Sequence, residues 1–172
     1  MTSTAAPALA LGDEALGELA RAAELLKGRR LAVLTGAGIS TDSGIPDYRG
    51  AGAPVRTPMT FSQFLADEPY RKRYWAGSHL GWSRFATSRP NTGHRMLAEL
   101  EHAGLVTGVV TQNVDGLHVR AGSQRVVDLH GSMDRVVCLH CGQAFSRDAI
   151  AERIQLLNPW FDESIVSRVN PD

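Results

Sequence analysis

The spacing of apolar residues predicts a helix and then a strand at the start of the chain. Between residues 13 and 27, leucines and alanines recur every three or four positions and therefore share one helical face. Gly28 follows, at a point where a left-handed helix end favours glycine. The apolar run 31–34 then predicts a strand, which leads directly into the loop 36–50, with the sequence GAGISTDSGIPDYRG.

Residues 54–89 break this regular pattern. Three prolines interrupt the segment, and an aromatic and basic cluster fills its second half. We expect a small helical insert that lies over the loop. Aromatic side chains mostly serve packing, so the main interpretation makes them the core of the insert, and the alternative makes them the lining of a substrate site. These residues are Tyr74, Trp75, Trp82 and Phe85.

Two more strands are predicted further along the chain. A helix begins near residues 91–92, whose Asn and Thr are both suitable caps, and runs to Gly104. The β-branched run 105–111 is typical of a buried parallel strand, and 125–129 predicts a third strand. A last amphipathic helix is expected at 146–157, capped by its first serine. This alternation predicts an α/β fold with a Rossmann-like parallel sheet.

Polar residues follow the second and third strands. Gln112, Asn113 and Asp115 come directly after the second strand, and His130 follows the third. Open α/β sheets bind ligands at the carboxyl ends of their strands, so these side chains are expected to meet the glycine loop at one edge. Amide and carboxylate groups there can fix a ribose and a carboxamide, although they also serve ordinary turns. A histidine such as His130 is suited to accept a proton from a sugar hydroxyl.

The other candidate catalytic residues have weaker support. His94 and His118 are interpreted as structural residues of a helix and of a turn. A serine hydrolase of the G-x-S-x-G type is not expected, because the sequence lacks that motif.

The loop 36–50 predicts a nucleotide site of an unusual kind. Gly36 and Gly38 lack a Cβ, which lets backbone N–H groups approach a pyrophosphate. The dinucleotide fingerprint would also place a glycine at position 41, where this chain has Thr, and an acid about twenty residues further on, where residues 56–61 have none. No Lys follows the glycines as a P-loop requires. The loop therefore predicts nucleotide binding without ordinary dehydrogenase chemistry.

Composition narrows the range of partners. The 172 residues, 43% of them apolar, suit one compact domain. Eighteen basic residues balance eighteen acidic ones, so neither nucleic acid nor an anionic membrane is an expected partner. No apolar run approaches the ~20 residues that span a bilayer, and no basic residue precedes Arg21, so we expect a cytoplasmic location. The sequence leaves the oligomeric state open.

Cys138 and Cys141, the two cysteines of the chain, form a C-x-x-C pair. They lie too close together for a loop-stapling disulfide, so they predict a zinc knuckle or a redox pair. Redox pairs begin a helix directly after a strand, whereas Gly142 and the gap before the last helix fit a ribbon turn better. A structural zinc ion needs four ligands, of which two are present. We interpret the pair as half of a zinc ribbon.

With these residues in place, the chain resembles the sirtuins, the family of NAD-dependent protein deacylases. Five motifs occur in the family's order over roughly residues 30–142, and the flanking segments are similar to class II sirtuins. The motifs are GAGISTDSGIPDYRG at 36–50, PNTGH at 90–94, TQNVDGLH at 111–118, LHG at 129–131 and C-x-x-C at 138–141.

The resemblance implies a cofactor site and a catalytic base. His130 and Asn113 are the implied catalytic residues, with His130 as the general base that draws a proton from the ribose hydroxyls of NAD. The glycine loop would hold the phosphates, and the polar residues after the second strand would hold the nicotinamide ribose and its carboxamide. The implied cofactor-binding residues are Gly36, Ala37, Gly38, Ile39, Ser40, Tyr48, Arg49, Gln112, Asn113, Val114 and Asp115, and the implied zinc ligands are Cys138 and Cys141.

The resemblance also implies a reaction. The chain would remove acyl groups from lysine side chains of proteins, as a deacetylase or lipoamidase, and would convert NAD to nicotinamide and O-acyl-ADP-ribose. Two alternatives are a fragment that binds NAD or ADP-ribose without catalysis and a protein ADP-ribosyltransferase.

The expected domain organisation follows from these assignments. Residues 1–12 are expected to be disordered, 13–53 together with 90–134 to form part of a Rossmann-like NAD-binding domain, 54–89 to form the helical insert, and 135–172 to form a partial zinc ribbon. A complete doubly wound domain has two β-α-β-α-β halves. Because only three strands are predicted, we expect the chain to be truncated after the N-terminal part of the sheet.

Overall fold

A three-stranded parallel sheet organises the chain in a computed structural model that describes residues 12–47 and 58–161. The central strand pairs with a parallel neighbour on either side. This arrangement confirms the predicted α/β class with a Rossmann-like sheet. In sheet order the strands are β1 (Leu31–Thr35), β2 (Val106–Thr111) and β3 (Val126–Asp128).

The register of the sheet brings the three strand ends to one level. Thr35 at the end of β1 pairs with Thr111 at the end of β2, and Thr111 pairs with Asp128 at the end of β3. Val106 and Val109 of β2 are buried, as predicted for a central parallel strand. The residues that follow the three strands therefore emerge side by side at one edge.

Six α-helices, a 3-10 helix and a β-hairpin accompany the sheet in the described part of the chain. Among the helices of these described residues, none combines the length and the apolar content that a bilayer span requires. The α-helices are α1 (Asp13–Leu26), α2 (Phe61–Ala66), α3 (Glu68–Thr87), α4 (Thr92–His102), α5 (Leu117–Arg120) and α6 (Arg147–Leu157), the 3-10 helix is Ala37–Ser43, and the hairpin strands are β4 (Arg135–Val137) and β5 (Ala144–Ser146).

The predicted helix ends agree with the observed ones. After α1, Gly28 has the left-handed φ of 72° that the pattern predicts. Asn91 caps α4 by accepting a hydrogen bond from the backbone N–H of His94, and Ser146 caps α6 in the same way. The leucines of α1 remain exposed, with Leu19 at 55%, so this helix is amphipathic without being buried among the described residues. Of the segment predicted to be disordered, all but Gly12 lies outside the described residues.

The insert is more regular than its sequence suggests. Its main element, α3, runs unbroken for 20 residues. Polar residues and two glycines spread around this helix and hide its period. Tyr74 packs edge-on against Phe64 of α2, with ring centroids 5.1 Å apart, but it is exposed at 46% and does not lie in a buried core.

A buried arginine joins the insert to the hairpin segment. Arg147, the first residue of α6, places its guanidinium carbon 5.3 Å from the ring centre of Trp75 and 5.6 Å from that of Trp82. Its Nη2 donates to Ser78 Oγ at 3.0 Å, and the neighbouring Asp148 accepts from Trp82 Nε1 at 2.9 Å. Cation–π contacts of this kind gain strength when they are desolvated. They hold α6 against α3.

Gly108 marks the closest approach between β2 and the chain that enters β3. A Cβ at this position would lie 2.9 Å from the carbonyl oxygen of Arg125, a backbone atom. We expect Gly108→Ala to lower the free energy of unfolding by about 1–3 kcal/mol, because the backbone must shift. The matched control is Gly77→Ala in α3, where a Cβ meets nothing within 4 Å and Ala is the better helix former. Denaturant unfolding measures both variants, and equal loss of stability would contradict this packing.

Candidate functional site

A cleft of about 200 Å³ lies at the edge where the three strands end. It gathers the 3-10 helix after β1, the segment after β2 and the histidine after β3. Its lining residues are Ala37, Ser40, Ile45, Pro46, Phe85, Gln112, Asn113, Val114, Asp115 and His130.

Most of the predicted site residues meet in this cleft or beside it. Gly36, Gly38 and Ile39 belong to the segment that borders it. Tyr48 and Arg49 lie outside the described residues, and the binding roles of the whole set stay predictions. Phe85 lines the cleft, a position that is compatible with the alternative interpretation of the aromatic residues.

Ser40, Asn113 and Asp115 form a hydrogen-bonded group inside the cleft. The hydroxyl of Ser40, which is fully buried, donates to Asp115 Oδ2 at 2.7 Å. Asn113 Nδ2 donates to Ser40 Oγ at 3.1 Å and to the carbonyl of Gly36 at 3.0 Å. Both hydrogens of the Asn113 amide are therefore used within the chain, and its Oδ1 remains as an acceptor. Asp115 Oδ1 accepts from the backbone N–H of Leu117 at 2.9 Å.

The glycine loop is open on the side where a ligand would approach. A Cβ at Gly36 or at Gly38 would meet nothing within 4 Å, so packing within the described chain does not account for these glycines. Asn91 fastens the loop from α4, since its Nδ2 donates to the carbonyl of Ile39 at 2.6 Å and to Ser43 Oγ at 3.1 Å. Sequence analysis identified Asn91 only as a helix cap. Its second role depends on a contact with the loop about fifty residues earlier in the chain.

His130 is exposed at the cleft, and its tautomer follows from one contact. Its Nδ1 lies 3.0 Å from the carbonyl oxygen of Gln112. A carbonyl oxygen only accepts hydrogen bonds, so Nδ1 carries the proton of the neutral ring. The lone pair is therefore on Nε2, which is the atom that can take a proton.

His94 and His118, interpreted from sequence as ordinary structural residues, form a buried pair. His94 is fully buried on α4, and His118 lies on α5 rather than in a turn. Their ring centroids are 4.8 Å apart. His118 Nε2 lies 2.9 Å from Thr35 Oγ1. Hydrophobic periodicity gave no signal for this pair, although both residues fall inside the motifs at 90–94 and 111–118.

Burial lowers the pKa of both histidines. For His94 the pKa falls to about 4, first because its ring is removed from water and second because His118 stands beside it. For His118 burial likewise lowers the pKa, against a smaller opposing influence of Asp115. Both rings are therefore neutral at pH 7.

Cys138 and Cys141 lie in the turn of the hairpin between β4 and β5. Both thiols are free. Hydrogen bonds from the backbone N–H groups of Cys141 and His140 lower the pKa of Cys138, which favours the thiolate form. Within residues 12–47 and 58–161, however, no group of three or more His, Cys, Asp or Glu residues is placed to hold a metal ion. The binding of zinc by this pair thus stays a prediction.

Known proteins resemble this chain in sequence and in fold. The Sir2 family model matches residues 36–171. The NAD-dependent protein deacetylase 1 of Mycobacterium avium is 61% identical over 81% of this chain and 49% of its own length. The human mitochondrial NAD-dependent protein lipoamidase sirtuin-4 is 48% identical over 90% of this chain and 50% of its own length.

Solved structures give the same result. A Sir2 mutant solved with a p53 peptide and NAD superimposes with a TM-score of 0.69 at 34% identity, over 79% of this chain and 54% of that one. The chain belongs to the Sir2 family, which confirms the predicted resemblance, and the sirtuin-4 match agrees with the likeness to class II. The chain spans about half the length of the curated relatives it matches.

The buried histidine pair predicts a stability that depends on pH. An unfolded histidine titrates near pH 6.5, whereas folded His94 stays neutral down to about pH 4. The unfolded state therefore binds more protons between these values, and the free energy of unfolding falls as the pH drops from 6.5 towards 4. His94 accounts for a loss on the order of 3 kcal/mol. Denaturant unfolding across this range should show a smaller loss for His94→Gln, and an unchanged loss would contradict the assignment.

Proposed function

We propose that this chain is the NAD-binding part of an NAD-dependent protein lysine deacylase of the deacetylase or lipoamidase type. One observation carries the proposal. The cleft brings Nε2 of His130, which has no hydrogen in the neutral ring, together with the hydrogen-bonded group of Ser40, Asn113 and Asp115. The relatives named as deacetylases and lipoamidases support it. So does a Sir2 structure solved with 2′-O-acetyl-ADP-ribose and a deacetylated p53 peptide, which matches with a TM-score of 0.66 at 32% identity.

The residues present fit NAD. The open surface in front of Gly36 and Gly38 suits the close approach of a pyrophosphate to backbone N–H groups. Asn113 Oδ1 is available as an acceptor for a ribose hydroxyl, and Asp115 and the exposed Gln112 supply further groups for the ribose and the carboxamide. Tyr48 and Arg49 complete the proposed set.

The chemistry of the chain's own residues then follows. NAD, when bound, supplies a ribose carbon whose bond to nicotinamide is broken. The group of Ser40, Asn113 and Asp115 orients the ribose, since its own hydrogen bonds already fix it. His130 takes a proton from a ribose hydroxyl at Nε2. The positive charge that its ring gains is stabilised because Nδ1–H donates to the carbonyl of Gln112.

Apolar residues define the rest of the cleft. Ile45, Phe85 and Val114 line it beside the polar group. Exclusion of water by such residues strengthens every electrostatic interaction in the site and protects a reactive ribose from hydrolysis. Acyl-lysine proteins are the proposed substrates. Assays with acetyl peptides and lipoyl peptides distinguish which acyl group is removed.

A second candidate is nucleotide binding without turnover. The open surface in front of Gly36 and Gly38 supports nucleotide binding whether or not a reaction follows. Protein ADP-ribosyl transfer, the other alternative, would attach labelled ADP-ribose to a protein instead of releasing a deacylated peptide.

Replacement of the proposed base separates these candidates. We expect the chain to release nicotinamide when NAD and an acyl-lysine peptide are both present. His130→Ala should lower this rate by at least about 100-fold, because the proton acceptor is lost. Its affinity for ADP-ribose should stay within about threefold, because His130 acts through proton transfer. Nicotinamide assay and calorimetry with ADP-ribose measure the two effects.

The matched control is His102→Ala. His102 is exposed at the end of α4, where its ring bonds to the carbonyl of Ala98, and its loss should leave both quantities unchanged. Binding of ADP-ribose without any nicotinamide release from the folded chain would favour the non-catalytic candidate. Release that survives in His130→Ala would contradict the assigned base.

We also propose that Cys138 and Cys141 bind zinc. Their position in a hairpin turn and the lowered pKa of Cys138 suit thiolate ligands. They supply two of the four ligands of a structural site, so a second copy of the chain is one source of the other two. The free thiols are also compatible with the proposed cytoplasmic location.

Metal analysis tests this sharing of zinc. Two chains that each supply two thiolates should bind about one zinc ion per two chains, and the chain should then sediment as a dimer. The double variant Cys138→Ser with Cys141→Ser should bind no zinc and remain a monomer. A wild-type monomer free of metal after purification in zinc would rule out this arrangement.

A further inference from the structure

His118 begins a chain of buried hydrogen bonds that ends at the cleft. Its Nε2 lies 2.9 Å from Thr35 Oγ1, and Thr35 Oγ1 donates to Thr111 Oγ1 at 2.9 Å. Thr111 Oγ1 then accepts the backbone N–H of Asn113 at 3.1 Å. All four residues are at least nine-tenths buried, so water does not compete for these bonds.

The bond between the two hydroxyls sets the direction of the bond to His118, because each hydroxyl has one hydrogen and can also accept. When the hydrogen of Thr35 goes to Thr111, Thr35 accepts from His118, and Nε2 of His118 carries the proton. Nδ1 of His118 then carries no hydrogen, and it has no hydrogen-bond partner in the described chain.

The chain of bonds reaches His130 through one peptide unit. The N–H of Asn113 and the carbonyl of Gln112 belong to the same planar peptide. Thr111 holds the N–H side of this peptide, and the carbonyl on its other side accepts Nδ1–H of His130. The orientation of the peptide thus determines where the carbonyl points, and the carbonyl determines the tautomer of His130.

The same bonds close into a ring around the site. His118 follows Leu117, whose N–H donates to Asp115 Oδ1. The other oxygen of Asp115 accepts from Ser40, and Ser40 accepts from the side chain of Asn113. His118 is therefore connected to Asn113 through the two threonines and to Asp115 through Leu117.

We propose that His118 is a positioning residue that acts through Thr35 and Thr111 to orient the Gln112–Asn113 peptide and hence His130. This inference rests on the proposed function, in which Asn113 and His130 act on the ribose. His118 itself touches neither of them through a side-chain hydrogen bond in the described chain. Its contribution is a donor at Nε2, which leaves the hydroxyl hydrogen of Thr35 for the bond to Thr111.

The test uses the full chain labelled with ¹⁵N. Long-range ¹H–¹⁵N spectra report which ring nitrogen of each histidine carries the proton, and hydrogen exchange reports the protection of the Asn113 amide. Thr35→Val removes the central hydroxyl at nearly constant volume. The matched control is Thr107→Val on β2, which removes a hydroxyl that donates to the carbonyl of Leu31 at 2.9 Å, outside the ring of bonds.

We expect His118 to be protonated at Nε2 and His130 at Nδ1 in the wild type. Thr35→Val should raise the exchange rate of the Asn113 amide about tenfold and reduce the Nδ1–H form of His130, whereas Thr107→Val should change neither. His118→Leu should have the same effects as Thr35→Val on the exchange rate of the Asn113 amide and on the tautomer of His130. His118→Gln keeps an N–H donor at similar depth and should return the exchange rate to within about threefold of the wild type.

Three results would overturn the proposal: a wild-type His118 protonated at Nδ1, a Thr35→Val variant with unchanged Asn113 exchange and His130 tautomer, or equal effects of Thr107→Val and Thr35→Val. None of these measurements needs a ligand.

ADP-ribose is then titrated as a separate probe. We expect its binding to be about tenfold weaker in Thr35→Val and unchanged in Thr107→Val. If ADP-ribose fails to bind the wild type, the proposed function fails, while the spectra still decide the role of His118.

Discussion

Parallel pairing of β2 with a strand on either side is the constraint on which the site depends. Because Thr35, Thr111 and Asp128 share one register, the segments that follow the three strands emerge at one edge. Residues more than seventy positions apart then become hydrogen-bond partners, as Ser40 and Asp115 do. A slip of this register would separate the glycine loop from the segment after β2. The chemistry of the cleft therefore depends first on the pairing of the strands, because this pairing brings the side chains of the cleft together.

Sequence predicted the parts of this arrangement that local patterns encode. The strands, the cap at Asn91 and the glycine after α1 follow from short-range rules, and the strand-end rule brought His130 to the edge. The hydrogen-bond partners of His118 could not be predicted, because Thr35 lies 83 positions away and a buried histidine has the same local signal as an exposed one. The continuity of α3 was missed since polar residues around the helix obscure its period.

Polar contacts, more than an apolar core, hold the site in the described residues. The buried apolar side chains there are few, while Thr35, Thr111, Asn113 and His118 are all buried and bonded to one another. A buried polar group that loses its partner costs about 1–3 kcal/mol, so such a network tolerates little displacement. By contrast, Leu34 on β1 is 66% exposed. Geometry at the cleft is thus specified by directional bonds, which fix angles as well as distances.

The contact of Arg147 with two indole rings has a consequence for spectroscopy. Trp75 and Trp82 are two of the three tryptophans of the chain, and both face the guanidinium of Arg147. Indole emission responds to nearby charge and to water, and separation of α6 from α3 would change both at once. The two rings therefore act as a built-in fluorescent sensor at the junction between the insert and the hairpin segment. Their signal would report detachment of the cysteine-bearing hairpin even while the parallel sheet stays folded.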